Sequence, residues 1–160
     1  MRSFALAAIS ILVAGATAAS AAVVHLAPDF AIPAAGKSKS LKSLRGQPVV
    51  LIIARTPKAS DFKKQDKYLN ELYHQFAAKQ VVFIVAFTEA KEPLKSNVPF
   101  VVAENGSAVA GAYGVTDKFN IVIIGKDGNI DYQTNKVLIP ERVNDVIQNS
   151  YEVQAHTGRM

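Results

Sequence analysis

Residues 48–65 read PVVLIIARTPKASDFKKQ, and this stretch decides the fold. Val49 to Ile53 is continuously apolar, and all but Leu51 are β-branched. That pattern predicts a strand from Val49 to Ala54, covered on both faces, as central strands of parallel sheets are. Arg55-Thr56-Pro57 interrupts it. From Asp61 to Lys79 the apolar residues Phe62, Leu69, Leu72, Tyr73 and Phe76 line one face of a helix. Ser60 is the expected N-cap, and Asp61 in the first turn suits the helix dipole. A strand that turns directly into a helix presents the helix N-terminus, a common place for binding or chemistry.

Val81 to Phe87 reads as a second buried strand, so strand, helix and strand form a right-handed βαβ unit. Upstream, Val23 to Ala35 holds Pro28 and Pro33 and predicts an extended edge segment. Gly36 to Ser40 is a polar turn, and Leu41 to Leu44 a short helical turn. Downstream, Thr88 to Asn97 is a polar connection. A short strand is expected at Phe100 to Ala103, with Phe100, Val101 and Val102 in the core. Ser107 is the expected cap of a helix from Ala108 to Tyr113, stopped at Gly114. Asn120 to Ile124 and Ile130 to Thr134 form a hairpin around Lys126-Asp127-Gly128-Asn129. Pro140 opens a last helix to about Tyr151 with Val143, Val146 and Ile147 buried, and residues beyond about Val153 should fray. The order predicts an α/β protein of thioredoxin-like fold: a central mixed β-sheet flanked by helices, βαβ then ββα.

The chain has 160 residues, enough for one domain. Met1-Arg2, the apolar run Phe4 to Ala14 and Ala19-Ser20-Ala21 fit a secretory signal peptide over residues 1–21, leaving a domain over 22–160. Retention of the run as an N-terminal anchor is the alternative. The protein is thus expected in the periplasm or secreted, with no stable membrane span after cleavage. The leader holds only Arg2 among charged groups, so 17 basic residues face 13 acidic ones after its removal. That balance, without Trp or an aromatic-interleaved basic patch, does not point to nucleic acid. Cysteine is absent. Disulfides, thiol redox chemistry, zinc–thiolate sites and Cys nucleophiles are therefore excluded.

Ala27-Pro28-Asp29-Phe30, Gly36-Lys37, Ser40-Leu41 and Leu44-Arg45-Gly46 resemble the opening of peroxiredoxins and related redoxins of the alkyl hydroperoxide reductase/thiol-specific antioxidant type. Tyr113-Gly114-Val115 and the hairpin Ile123 to Ile130 extend the resemblance over most of residues 26–132. It implies peroxide reduction by a cysteine thiolate that ends a P-x-x-x-T-x-x-C motif. Thr56 and Pro57 match that motif. Ile52 stands at its Pro, and Ala59 stands at the peroxidatic Cys. The resemblance places the thiolate's supporting Arg, and the thioredoxin cis-Pro, near Phe119; neither residue type is there. Phe119 to Gly128 also resembles an uncharacterised thioredoxin-like family of exported proteins that has commonly lost its cysteines.

No catalytic residue follows from this reading. Arg55, Thr56, Lys58 and Ser60 remain as a possible anion- or partner-binding surface at the helix start. His25, His74 and His156 are too scattered for a metal site, and no cofactor motif is present. Thr56 and Ser60 have no base nearby in sequence. Lys63, Lys64 and Lys67 read as a solvated face. The expectation is a non-enzymatic module that binds an unknown protein or an anionic small molecule. The alternatives are the family's antioxidant oxidoreductase activity with a partner's thiol, and a structural subunit of an envelope assembly.

Overall fold

A computed structural model describes residues 25–89 and 92–157, with the side chains of residues 151–157 outside the description. The expected signal peptide, residues 1–21, lies outside the described residues.

Three apolar runs build the sheet. They are β3 (Val49–Ala54), β4 (Val82–Phe87) and β6 (Phe119–Ile124), each buried along nearly its whole length. A strand can be apolar throughout only if both faces are covered, and both are. On one face Val50, Ile52, Phe83, Val85, Ile121 and Ile123 pack against α1 (Ser60–Glu71), α2 (Tyr73–Ala78) and α4 (Pro140–Thr157). On the other, Val49, Leu51, Ile53, Ile84, Val122 and Ile124 pack against α3 (Gly106–Ala112) and the N-terminal segment. The sheet order is β5-β4-β3-β6-β7, with β5 at Val101–Val102 and β7 at Ile130–Thr134. β3 and β4 run parallel, while β6 is antiparallel to β3 and to β7. This is the expected mixed, helix-flanked α/β sheet of a thioredoxin-like fold. Both edges are blunted: β5 is two residues long, and β7 carries a register shift opposite Ile123/Ile124.

Five expectations need correction. The predicted helix from Asp61 to Lys79 is two helices, because Leu72 leaves the helical range (φ −110°, ψ 18°). The break lets the adjacent Leu72 and Tyr73 both pack on the core that also holds Phe62, Leu69 and Phe76. Lys39–Ser40 is not turn but β2, paired antiparallel with β1 (Ala31–Ile32) in a separate two-stranded sheet. α3 is capped by Asn105, whose Oδ1 accepts from the Ala108 N–H at 3.0 Å, and not by Ser107. The Ser107 hydroxyl instead donates to the Thr88 carbonyl at 3.0 Å. Val102 is exposed, because β5 is an edge strand. α4 continues past Tyr151 and Val153 to Thr157.

One polar residue joins the apolar stripe of α1, on the face that carries Phe62 and Leu69. Gln65 in α1 is fully buried. Its Nε2 donates to the Leu138 carbonyl at 2.9 Å, and its Oε1 accepts from the Leu138 N–H at 2.8 Å. One side chain thus satisfies both backbone groups of the segment that leads into α4.

Candidate functional site

β3 ends at Ala54, flanked by Phe87 of β4 and Phe119 of β6. Backbone pairing runs on past the strand. The Thr88 N–H donates to the Ala54 carbonyl and the Glu89 N–H to the Arg55 carbonyl, both at 3.0 Å. Thr56-Pro57-Lys58-Ala59 then closes a turn, with the Ala59 N–H donating to the Thr56 carbonyl at 3.2 Å. Proline suits the second position of such a turn, where its fixed φ is already right. The Thr56 hydroxyl accepts from the Lys58 N–H at 3.2 Å.

This turn decides the cap. The first helical bond of α1 runs from the Lys63 N–H to the Ala59 carbonyl at 3.0 Å, so Ala59 is the N-cap (φ −58°, ψ 134°). Ser60 is already the first helical residue and does not cap, contrary to expectation. Ala59 has no side-chain acceptor, so the N-cap residue makes no side-chain cap bond. Its methyl group is half-buried against the core that holds Phe62 and Phe87. Those two rings meet edge-on with centroids 5.1 Å apart. Phe119, where the resemblance places a supporting Arg or Pro, is buried in the same core. Its neighbour Asn120 is buried on the α3 face by strand alternation, and its Oδ1 accepts no hydrogen bond.

The structure brings Arg55, Thr56, Lys58 and Ser60 together in the turn, but both cations have partners. Arg55 Nε lies 3.7 Å from Glu89 Oε1, and Lys58 Nζ lies 3.3 Å from Glu92 Oε2. The sequence reading missed both acids. Strand register could have found Glu89: β3 and β4 are parallel neighbours, so residues just past their ends lie side by side. The pairs are half to three-quarters exposed, and such pairs are typically worth about 0–1 kcal/mol. The segment after Glu92 is tied along α1. Leu94 packs on the core, and the Ser96 hydroxyl donates to Asp66 Oδ1 at 2.6 Å. Burial pushes the Asp66 carboxyl above its ordinary range, and the Ser96 hydrogen bond partly offsets this.

Chemically, the turn holds no nucleophile of the redoxin kind. A thiolate needs cationic, partly polar surroundings; here a methyl group faces an aromatic core. His25 and His74 are exposed and lie in separate parts of the fold. Among the described residues no three His, Cys, Asp or Glu side chains gather as a metal site.

Comparison with solved structures shows the fold. The chain is similar to the thioredoxin domain of a thiol-disulfide oxidoreductase from Bacteroides vulgatus, with TM-score 0.63 and 21% identity over 80% of this chain and 99% of that one. It is similar to a thiol:disulfide interchange protein from Bacteroides sp., with TM-score 0.62 and 21% identity over 78% and 88%. It is also similar to thioredoxin peroxidase I of Plasmodium yoelii, with TM-score 0.62 and 16% identity over 86% and 94%. No curated protein matches the sequence. The AhpC/TSA family profile matches residues 23–133, well over half of the chain, and the protein therefore belongs to the AhpC/TSA family, as a member without cysteine.

Proposed function

We propose that this chain is an exported, non-enzymatic redoxin-fold module that binds a partner protein through the face of Arg55, Thr56, Lys58 and Ser60. The observation that carries the reading is Ala59. At the head of α1, where the family's chemistry calls for a thiol, the chain offers a methyl group, while the strand, turn and helix around it are kept. The leader-like residues 1–21 support export. An anionic small molecule suits the face less well than a protein, because Glu89 and Glu92 already sit on both cations. A protein surface with several carboxylates can exchange for two such weak pairs together and add apolar contact.

The test places a photo-crosslinker at Lys58 and, separately, at Lys95, in cells that make the full chain. A discrete adduct from the Lys58 position alone supports the face; equal capture at both positions, or none, counts against it. Family membership favours one second reading, peroxide reduction with a thiol lent by a partner. Purified protein with peroxide and a dithiol should show no turnover above buffer. Turnover that survives metal removal would sink the non-enzymatic reading.

A further inference from the structure

We propose that the leader is cut after Ala22 and that the new amino terminus, Val23-Val24-His25, chelates Cu(II) or Ni(II). Of the proposed function, this rests on export alone. The small-x-small rule that reads Ala19 and Ala21 as a cleavage site reads Ser20 and Ala22 equally well. The later cut makes His25 the third residue of the mature chain. A chain that begins X-X-His offers a run of nitrogens to a metal: the α-amine, the amides of the second and third residues, and imidazole Nδ1. Closed around one ion, they lie in a plane. Square-planar nitrogen sets select Cu(II) and Ni(II), and Cu(II) heads the divalent affinity order. Zinc, which prefers a tetrahedral set, fits poorly. The set needs a single histidine, so the scatter of His25, His74 and His156 does not weigh against it.

The structure leaves His25 free for this role. The residue is exposed. Among the described residues its imidazole has no hydrogen-bond or ion-pair partner, and its backbone N–H donates to no group. What holds His25 in the fold is its carbonyl, which accepts from the Ile130 N–H at 2.8 Å. The next tie is the Ala27 N–H, which donates to the Gly128 carbonyl at 3.0 Å. Chelation takes the amide nitrogen and the ring of His25, and the fold takes its carbonyl, so the two do not compete. Val23 and Val24 lie outside the described residues and enter only through backbone nitrogens, which any residue but proline supplies in this way. Each amide nitrogen binds after giving its proton to solvent, so metal uptake releases protons and weakens in acid. The chain has no thiol to draw the copper away.

The full chain is expressed in cells that export it, and the mature protein is recovered from the envelope. Mass spectrometry reads its amino terminus, which should be Val23. Cu(II) and Ni(II) are then titrated in and followed by visible absorption and, for Cu(II), by electron paramagnetic resonance. Binding should saturate stoichiometrically with the spectrum of a tetragonal nitrogen set, and should fade as pH falls. H25A should lose that spectrum. So should a chain that keeps Ala22 in front of Val23, where the histidine stands fourth. H74A should bind as the parent does. The proposal is overturned by an exported chain that starts anywhere but Val23, by unchanged binding in H25A, or by a copper spectrum without nitrogen ligands. β3 runs between this site and the Ala59 turn, so neither outcome bears on crosslinking at Lys58. A chain that keeps Met1 sinks export together with this site, whereas an exported chain with another start sinks this site alone.

Discussion

At the scale of single residues, Ala59 separates scaffold from chemistry. It is the N-cap of α1 and offers no side-chain cap bond to the helix N-terminus. A cysteine at this position would meet the positive end of the helix dipole beside Arg55 and Lys58, and both lower a thiol pKa. The same thiol would lie against the core of Phe62, Phe87 and Phe119, which raises it. In Ala59→Cys the second effect should hold the thiol close to the free value of about 8.5. The variant is expected to react with peroxide at the slow rate of an ordinary thiol, as pH-dependent alkylation and peroxide consumption would show. A pKa below about 6 with rapid turnover would mean that the site keeps more of its electrostatics than its geometry shows. Gly106 makes a different demand. A Cβ there would stand 1.9 Å from the Phe87 carbonyl oxygen, a backbone atom that cannot move aside. Gly106→Ala is therefore expected to cost at least about 3 kcal/mol in chemical denaturation. Asn105→Ala, which loses only the cap, should cost about 1 kcal/mol.

At the scale of elements, what could be read from the sequence depended on what decides each element. β3, β4 and β6 were legible because burial on both faces leaves runs of apolar residues that no surface segment would carry. The α3 and α1 starts were misread by one or two residues. A cap belongs to the residue where the preceding turn ends, and Thr56–Ala59 ends on an alanine. Ser60 has the right chemistry one position late. Gln65 is a different case: its spacing from Phe62 and Leu69 puts it on the buried face, but the partner that satisfies it, Leu138, lies 73 positions downstream and no local pattern names it. That contact ties α1 to the entry of α4. Gln65→Ala would leave the Leu138 N–H and carbonyl buried without partners, at about 1–3 kcal/mol for each group. The expected result is a loss of about 2–5 kcal/mol in urea unfolding. Hydrogen exchange should rise first at the Leu138 amide and the start of α4. A loss below about 0.5 kcal/mol would show that water replaces the glutamine at no cost.

At the scale of the whole molecule, a cysteine-free chain relies on burial, and burial brings ionisable groups into the sheet's two covers. Asp66 sits under the segment that runs from Glu92 along α1. Tyr113 sits under the N-terminal segment, where its hydroxyl donates to the Pro28 carbonyl at 2.9 Å. Desolvation raises both pKa values, and the nearby charge of Asp29 raises that of Tyr113 further. For each group the folded pKa lies above the unfolded one. Its contribution to stability is therefore complete below the unfolded value and is lost as pH rises through the folded value. For Asp66 the loss begins near the ordinary 3.8 and continues up to the raised folded value. This is opposite to the behaviour of a carboxylate held down by a cation, which loses stability in acid. Asp66→Asn keeps an oxygen that can accept from Ser96, so it removes the titration and leaves the contact. The variant should equal or exceed the parent in stability at about pH 7, and the difference should vanish toward about pH 4. For Tyr113 the loss falls in alkali, beginning at the ordinary 10.0, where the unfolded chain ionises and the folded one resists. Tyr113→Phe should lower stability by about 1 kcal/mol at neutral pH through the lost hydrogen bond. That deficit should shrink as pH rises past about 10. Thermal unfolding of the three proteins across pH measures both effects. A deficit of Asp66→Asn that grows with pH would show that the carboxylate is stabilised where it sits, and would reverse the sign assigned to its burial.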